Sequence, residues 1–296
     1  VTIGVIAATA ASSVCWALFD FSRKKIAGRF EPVPVVIWLM VVQVPVFAAA
    51  GLSEIWVFPE SRYWLPALAS TLLNCLANVF FIESIRLAPL SLAIPILSLG
   101  PVFSLIGAFL MLGEQASVRQ LFGIVIIVLA AFCLGRMGAR AAKSSRENPG
   151  ESGKVGLGLL LMALVAALWS TTPVLDKICM RSMPASEHGF LQCLSVALAL
   201  FVWLRIRSRA ALSIGDLKRT GTVRWFLISG VVASIALLSQ LWAIQEIPVG
   251  IFEALKRAYG MMSALLLGYL FLHESITKLK AIVVLVMVIG VFVLLV

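Results

Sequence analysis

The chain has 296 residues, 61% of them hydrophobic and 13% charged, with 24 Lys and Arg against 14 Asp and Glu for a net charge of +10. A soluble domain cannot hide that share of apolar surface, so the composition excludes one and makes this a polytopic membrane protein. The positive residues gather in short loops between apolar runs, the pattern that orients a membrane protein, and no nucleic-acid partner is expected.

Ten apolar runs are candidates to cross a bilayer: 2–21, 34–50, 64–85, 90–112, 120–135, 156–175, 189–204, 225–244, 249–272 and 279–296. About 20 residues at 1.5 Å each suffice for a span. The backbone must satisfy itself in lipid, so all ten are predicted helices and the fold class is an all-α integral membrane protein. The first run ends in Arg23, Lys24 and Lys25, the reverse of a signal peptide's charge order, and reads as a true span carrying Trp16 and Asp20.

Span three carries Asn74 and Asn78 on one helical face. Span eight carries Ser234, Ser239 and Gln240 at comparable depth. These groups read either as interhelical glue or as the neutral hydrogen-bonding wall of a cavity. Span four holds Pro95 and Pro101 with Ser98, Gly100 and Ser104, a proline-broken helix. Span six runs Trp169, Ser170, Thr171, Thr172, Pro173, then Asp176 and Lys177. Pro173 removes a backbone hydrogen bond, and the neighbouring hydroxyls can satisfy the freed carbonyl, which suits a kinked gate helix. Trp169 reads equally as an interfacial anchor. Pro95, Pro101 and Pro173 are the expected gating positions.

Span nine holds the most informative residues. Lys256 and Arg257 lie side by side in an apolar stretch, with Glu253 one turn before them. A cation at mid-membrane costs roughly 2.5–3.5 kcal/mol on insertion scales, so such a doublet belongs where water or a charged ligand reaches it. Phe252, Glu253, Lys256, Tyr259, Gly260 and Ser263 share one stripe. Glu253 reaches Arg257 at i+4, and that pairing leaves Lys256 for a substrate anion or for Glu83 on span three. Small residues in spans four and nine, including Gly260, Ser263, Ala264 and Gly268, favour close packing of the two.

Five cysteines stand at no metal-ligand spacing, and their odd number in or beside spans argues against a disulfide framework. His188 and His273 are expected at the interface rather than on a metal. Neither P-loop, GxSxG nor HExxH occurs, so no enzyme, cofactor or metal is expected.

The two halves echo each other. Ala88-Pro89, a run with Gly100, and Gly113-Glu114 are matched by Ile247-Pro248, a run with Gly260, and His273-Glu274. Cys15-Trp16-Ala17 is matched by Leu168-Trp169-Ser170, and Trp64 by Trp225. The expected organisation is a first repeat at 1–136, a basic connecting loop at 137–155 and a second repeat at 156–296. An odd number of spans per copy inverts the second, an arrangement that places substrate near the midplane and permits alternating access.

The five-plus-five plan, the tryptophan-bearing opening span of each half, and the Gly-Glu and His-Glu endings resemble the drug/metabolite transporter superfamily, its EamA branch above all. The resemblance implies a ten-helix carrier in a membrane. The Lys-Arg doublet looks like that of the plastid sugar-phosphate translocators, where two cations bind the substrate phosphate; carried over, that role falls to Lys256 and Arg257.

Loops after the odd-numbered spans hold 18 Lys and Arg and the others hold 4, which places the odd set in the cytoplasm and both termini outside. Many members of the superfamily keep their termini inside. The resulting expectation is a secondary transporter of a small phosphorylated or carboxylated anion in the bacterial cytoplasmic membrane, acting as a monomer or homodimer. Lys256 and Arg257 would hold the anion and Glu253 set their geometry. Asn74, Asn78 and Gln240 would read the neutral part, with Tyr259 and Trp169 closing over it. The net cationic site would favour anion exchange over proton symport. Rival expectations are export of amino acids or amphiphilic drugs and flipping of a lipid-linked phosphate.

Overall fold

The structure is a computed structural model and describes residues 2–53, 56–89, 93–143, 152–207, 211–272 and 277–295. The predicted runs are helical: α1 (Ile3–Ala27), α2 (Pro32–Ala50), α3 (Ser61–Leu87), α4 (Gly100–Leu112), α5 (Val118–Lys143), α6 (Ser152–Cys179), α7 (Ala185–Ile206), α8 (Val223–Glu246), α9 (Val249–Leu272) and α10 (Lys278–Leu295). Seven of these meet length and hydropathy criteria for a span outright, and shorter apolar helices cover Ile96–Leu112 and Val118–Cys133. The His273-Glu274 ending of the second repeat lies outside the described residues.

Local chemistry sets the helix ends. The Thr2 hydroxyl accepts from the Val5 amide at 3.4 Å, and Lys24 and Lys25 stand in the last turn of α1, where the helix dipole favours cations. Pro32 opens α2 at a position where its missing N–H costs nothing. Span four is broken as expected: a 3-10 segment, Ile94–Leu99, precedes α4, with Pro95 and Pro101 each in the first turn of its piece. Gly113 ends α4 in the left-handed region at φ 71°. Helix α1 runs on to Ala27 and α6 to Cys179, so Arg23 and Asp176, read from the sequence as lying beyond span ends, are helical residues.

Helix contacts display the duplication. α1 lies along α8 as α6 lies along α3, and α9 meets α1 as α4 meets α6. α2 faces α7, α4 faces α9 and α5 faces α10. Exchanging the halves maps each contact onto another or onto itself, which is the signature of two five-helix repeats, the second inverted by the odd helix count. A similar bond occurs in each half: Lys24 Nζ donates to the Ile85 carbonyl near the end of α3, and Lys177 Nζ donates to the Ile247 carbonyl just past α8, at 2.9 Å.

α5 and α10 pair away from the centre through a close crossing. A Cβ on Gly123 would sit 2.9 Å from Leu294 Cβ and 3.0 Å from the Gly290 carbonyl oxygen. α4 and α9 also approach closely, but at Gly250, whose Cβ would meet Leu105 Cα at 3.1 Å. The surroundings of Ala264 and Gly268 are outside the described residues. Leu65, Leu68 and Leu72 form an exposed apolar stripe on α3, a surface suited to lipid. The polar groups turn inward.

Candidate functional site

Helices α1–α4 and α6–α9 enclose a cavity of about 200 Å³. Drug-sized pockets run about 300–1,000 Å³, so this conformation accommodates a small solute. Asp20, Arg23, Asp176, Glu253, Lys256 and Arg257 all line it, three acids and three cations. The expected net cationic site is therefore corrected to a formally balanced one. Arg23 and Asp176, which stand one helical turn inside their spans, add one charge of each sign and cancel; Asp20, facing the cavity from α1, is the acid that brings the balance to zero.

α9 begins at Val249, whose N–H donates to Glu114 Oε2 at 2.8 Å while Lys177 pairs with Glu114 Oε1 at 2.7 Å. A carboxylate at a helix N-terminus is favoured by the dipole, and here it also ties α9 to α6. One turn on, Glu253 is buried and pairs with Lys256. The sequence reading expected Glu253 with Arg257. Helix geometry allows both, and the flexible ammonium wins because it serves two acceptors at once: Lys256 Nζ also donates to Gln240 Oε1 at 3.3 Å. Trp16 Nε1 donates to that same oxygen at 3.1 Å. Glu83, the other partner considered for Lys256, instead pairs with Arg86 at 2.9 Å near the end of α3.

Arg257 is left over. Among the described residues it makes no hydrogen bond or ion pair, and its Nε is buried without a partner. Glu253 and Asp20 act on it only through space. Arg257 is half-buried, and a guanidinium N–H withdrawn from water without an acceptor is costly unless something supplies one.

Arg23 lies on the α1 wall, wholly buried. Its guanidinium is 4.1 Å from the Phe19 ring centre, 3.8 Å from Phe81 and 5.4 Å from Trp169, and it pairs with Asp20. The Asn78 Oδ1 accepts from Nη1 at 3.5 Å, and Asn78 Nδ2 donates to the Asn74 carbonyl at 2.9 Å. Trp169 packs on Phe81 with ring centres 5.2 Å apart. Both asparagines thus face the cavity, and Trp169 forms part of its wall rather than an outer belt.

α6 shows the predicted proline chemistry. Pro173 cannot donate to the Trp169 carbonyl, and the Thr172 hydroxyl donates to it instead at 3.4 Å. The Ser170 carbonyl accepts from Ser104 Oγ on α4 at 2.9 Å. On the α6–α7 side Asp176 Oδ1 accepts from Ser70 Oγ at 2.7 Å and Gln192 Nε2 at 2.8 Å. His188, expected at the interface, is instead buried against this carboxylate.

The structure therefore brings together Asn74, Asn78, Trp169, Pro173, Gln240, Glu253, Lys256 and Arg257 around one cavity. It does not bring in Tyr259, which packs on the apolar cluster shared by α9 and its neighbours. Pro101 is buried at the start of α4, behind the cavity wall; Pro95 belongs to the 3-10 segment, and the surroundings of its ring are outside the described residues. Sequence reasoning missed Arg23, Asp176, Gln43 and Gln192 as lining residues. The repeat held a usable signal for two of them: Arg23 follows Trp16 by the same seven residues as Asp176 follows Trp169.

The profile of the EamA-like transporter family matches twice, over residues 2–136 and 156–296. The chain belongs to the EamA-like transporter family. A solved chain described as "Crystal structure of protein" is similar over 98% of this chain and 94% of its own, at 17% identity and a TM-score of 0.72, which shows the fold alone. No curated protein matches. Membership makes this an integral membrane protein of a family that transports small molecules.

Proposed function

We propose that this EamA-like transporter is a secondary carrier of a small organic anion, carboxylated or phosphorylated, working by alternating access. One observation carries the reading: Arg257, half-buried and unengaged among the described residues, lines the cavity with its Nε buried and unpartnered. A planar fork matches a carboxylate or phosphate with two parallel hydrogen bonds. Lys256, already held by Glu253 and Gln240, adds a second cation beside it. Asn74, Asn78 and Trp16 offer neutral and aromatic contacts for the remainder of the solute.

A zwitterionic solute such as an amino acid is the second reading. Asp176 favours it, as a carboxylate on the cavity wall with no Lys or Arg paired to it among the described residues. The lysine and arginine bias supports termini on the outer face, and a fluorescent reporter fused to the C-terminus that folds and glows in the cytoplasm would overturn that orientation.

The test is a thermal-stability screen of the purified protein against anionic, zwitterionic and cationic metabolites, repeated on Arg257→Met. Stabilisation by anions that the variant loses supports the reading. Stabilisation by cations alone, equal in both proteins, contradicts it. Stabilisation only by zwitterions moves the assignment to the second reading.

A further inference from the structure

At the end of the molecule where α1 stops and α8 starts, exposed cations gather that neither the cavity nor the helix packing uses. The α1–α2 turn and the α7–α8 connection meet there. Arg29 Nη1 donates to the Thr220 carbonyl at 2.9 Å, and Trp38 Nε1 donates to the Leu212 carbonyl at 2.8 Å. The Phe30 and Phe226 ring centres lie 6.3 Å apart. These contacts join the first repeat to the second. A capping box at Ser213 and Asp216 fixes the short helix Ile214–Arg219, which buries Leu217 and leaves Lys218 exposed. Gly221, at φ 65°, then turns the chain towards Arg224 at the start of α8. Arg29, Lys218 and Arg224 are thus collected at one turn.

All three are exposed, as are Lys25 on α1 and Arg205 and Arg207 at the end of α7. None of the six has an acidic partner among the described residues. The acids on the two connections are already engaged: Asp216 pairs with Arg219 at 3.6 Å, and Glu31 with Arg86 at 3.6 Å. Like charges gathered in this way repel one another until an anion answers them. Below the cations the surface is apolar. Arg224 heads a stripe on α8 in which Ile228, Val231 and Ile235 follow at helical spacing, all exposed. On α1, which lies along α8, Lys25 stands over the Phe21 ring at 5.3 Å, with Leu18 and Val14 exposed at the same spacing.

We propose that this corner binds an anionic phospholipid, its phosphodiester held by Arg29, Lys218 and Arg224 and an acyl chain laid along Ile228, Val231 and Ile235. A guanidinium matches a phosphate with two parallel hydrogen bonds, and basic pockets beside spans select anionic head groups. The apolar stripe assigns the site to a lipid: a soluble phosphate gains the charge contacts alone, whereas a lipid also keeps its chain on α8. Arg29 belongs to the first repeat and its two companions to the second, so the bound lipid bridges the repeats. Nothing in this assignment rests on the solute carried in the cavity.

The test melts the full chain in a neutral maltoside detergent with rising mole fractions of phosphatidylglycerol or phosphatidylcholine, and with glycerol phosphate as the soluble probe. Wild type is compared with Lys218→Gln, with Lys218→Gln/Arg224→Gln, and with a control pair, Arg62→Gln/Arg119→Gln. The control removes two exposed cations from the opposite face, at the starts of α3 and α5. Phosphatidylglycerol should stabilise wild type at a mole fraction roughly tenfold or more below that needed of phosphatidylcholine. At about fivefold per surface cation, the single variant should need about fivefold more phosphatidylglycerol and the double variant roughly thirtyfold more, with the control unmoved. Equal responses to the two lipids, or a double variant that keeps the wild-type preference, overturn the site. A control that loses the preference as fully assigns the effect to net charge and overturns it too. Glycerol phosphate that stabilises as well as the lipid at equal concentration overturns the lipid assignment.

Discussion

Glu253→Gln and Arg257→Met should have opposite consequences for stability, although the two residues stand one turn apart. Glu253 is 4% exposed and Lys256 18% exposed, and they form a direct ion pair. Removing one partner of a buried pair costs about 3–5 kcal/mol, because the other charge stays behind. Gln240 Oε1, 3.3 Å from Lys256 Nζ, remains to receive the ammonium, so the lower end applies, about 3 kcal/mol. At roughly 2–4 °C per kcal/mol that is a fall of roughly 6–12 °C in melting temperature. Arg257 has no such partner among the described residues, so replacing its guanidinium with a thioether should leave melting within about 1 kcal/mol of wild type or raise it. Glu253→Gln combined with Lys256→Met should recover most of the loss, since a pair removed together leaves no stranded charge. A thiol-reactive dye reads the transition through buried Cys75, Cys179 and Cys193. If Arg257→Met melts as low as Glu253→Gln, Arg257 has a protein counter-ion, and the argument that it waits for a substrate anion fails.

Arg23→Lys keeps the charge beside Asp20 but loses the flat stacking on Phe19 and Phe81, and should cost about 1–2 kcal/mol in thermal unfolding; an unchanged melting temperature would show that the rings contribute nothing. Gly123→Ala places a methyl 2.9 Å from Leu294 Cβ and 3.0 Å from the Gly290 carbonyl oxygen. It should cost about 1–3 kcal/mol by overpacking, while ligand stabilisation per folded molecule stays at the wild-type level; a selective loss of ligand response would implicate α5 and α10 in the site. Outside the spans, Ser213 and Asp216 cap the short helix Ile214–Arg219, with Ser213 Oγ to Asp216 Oδ2 at 2.7 Å. The Ser213 hydroxyl, then its amide, hold the Asp216 carboxyl below its ordinary value. A lowered value means the cap stabilises at pH above the ordinary carboxylate range and is lost as pH falls through Asp216's own value. Ser213→Ala should move the loss of amide protection in that helix to higher pH in hydrogen exchange, and identical pH profiles would refute the cap.

Hydropathy alone located the ten helices, because a backbone in lipid has few alternatives, and the tryptophan and proline echoes located the repeat. Helix ends were less legible. Arg23 looked like an orienting loop charge because charged residues usually mark where a span stops, yet three rings and Asp20 bury it one turn inside α1. Asp176 was passed over for the same reason. Span nine was legible as the seat of the site, but the partner of Glu253 was not, since i+3 and i+4 cations are equally near on an isolated helix. Gln240, sixteen residues upstream on α8, decides between them. That inverts the earlier weighting of the doublet: Lys256 is paired, and Arg257 carries the anion hypothesis. Contacts such as Glu114 with Lys177 and Asp176 with His188 join different helices, and no spacing within one helix announces them.

Flux into sealed liposomes tests the central claim most directly, using a radiolabelled monoanion chosen from the stabilisation screen and comparing wild type with Arg257→Met. The account predicts saturable uptake by wild type and its loss in a variant that still melts at the wild-type temperature. Equal uptake by the two proteins would contradict it.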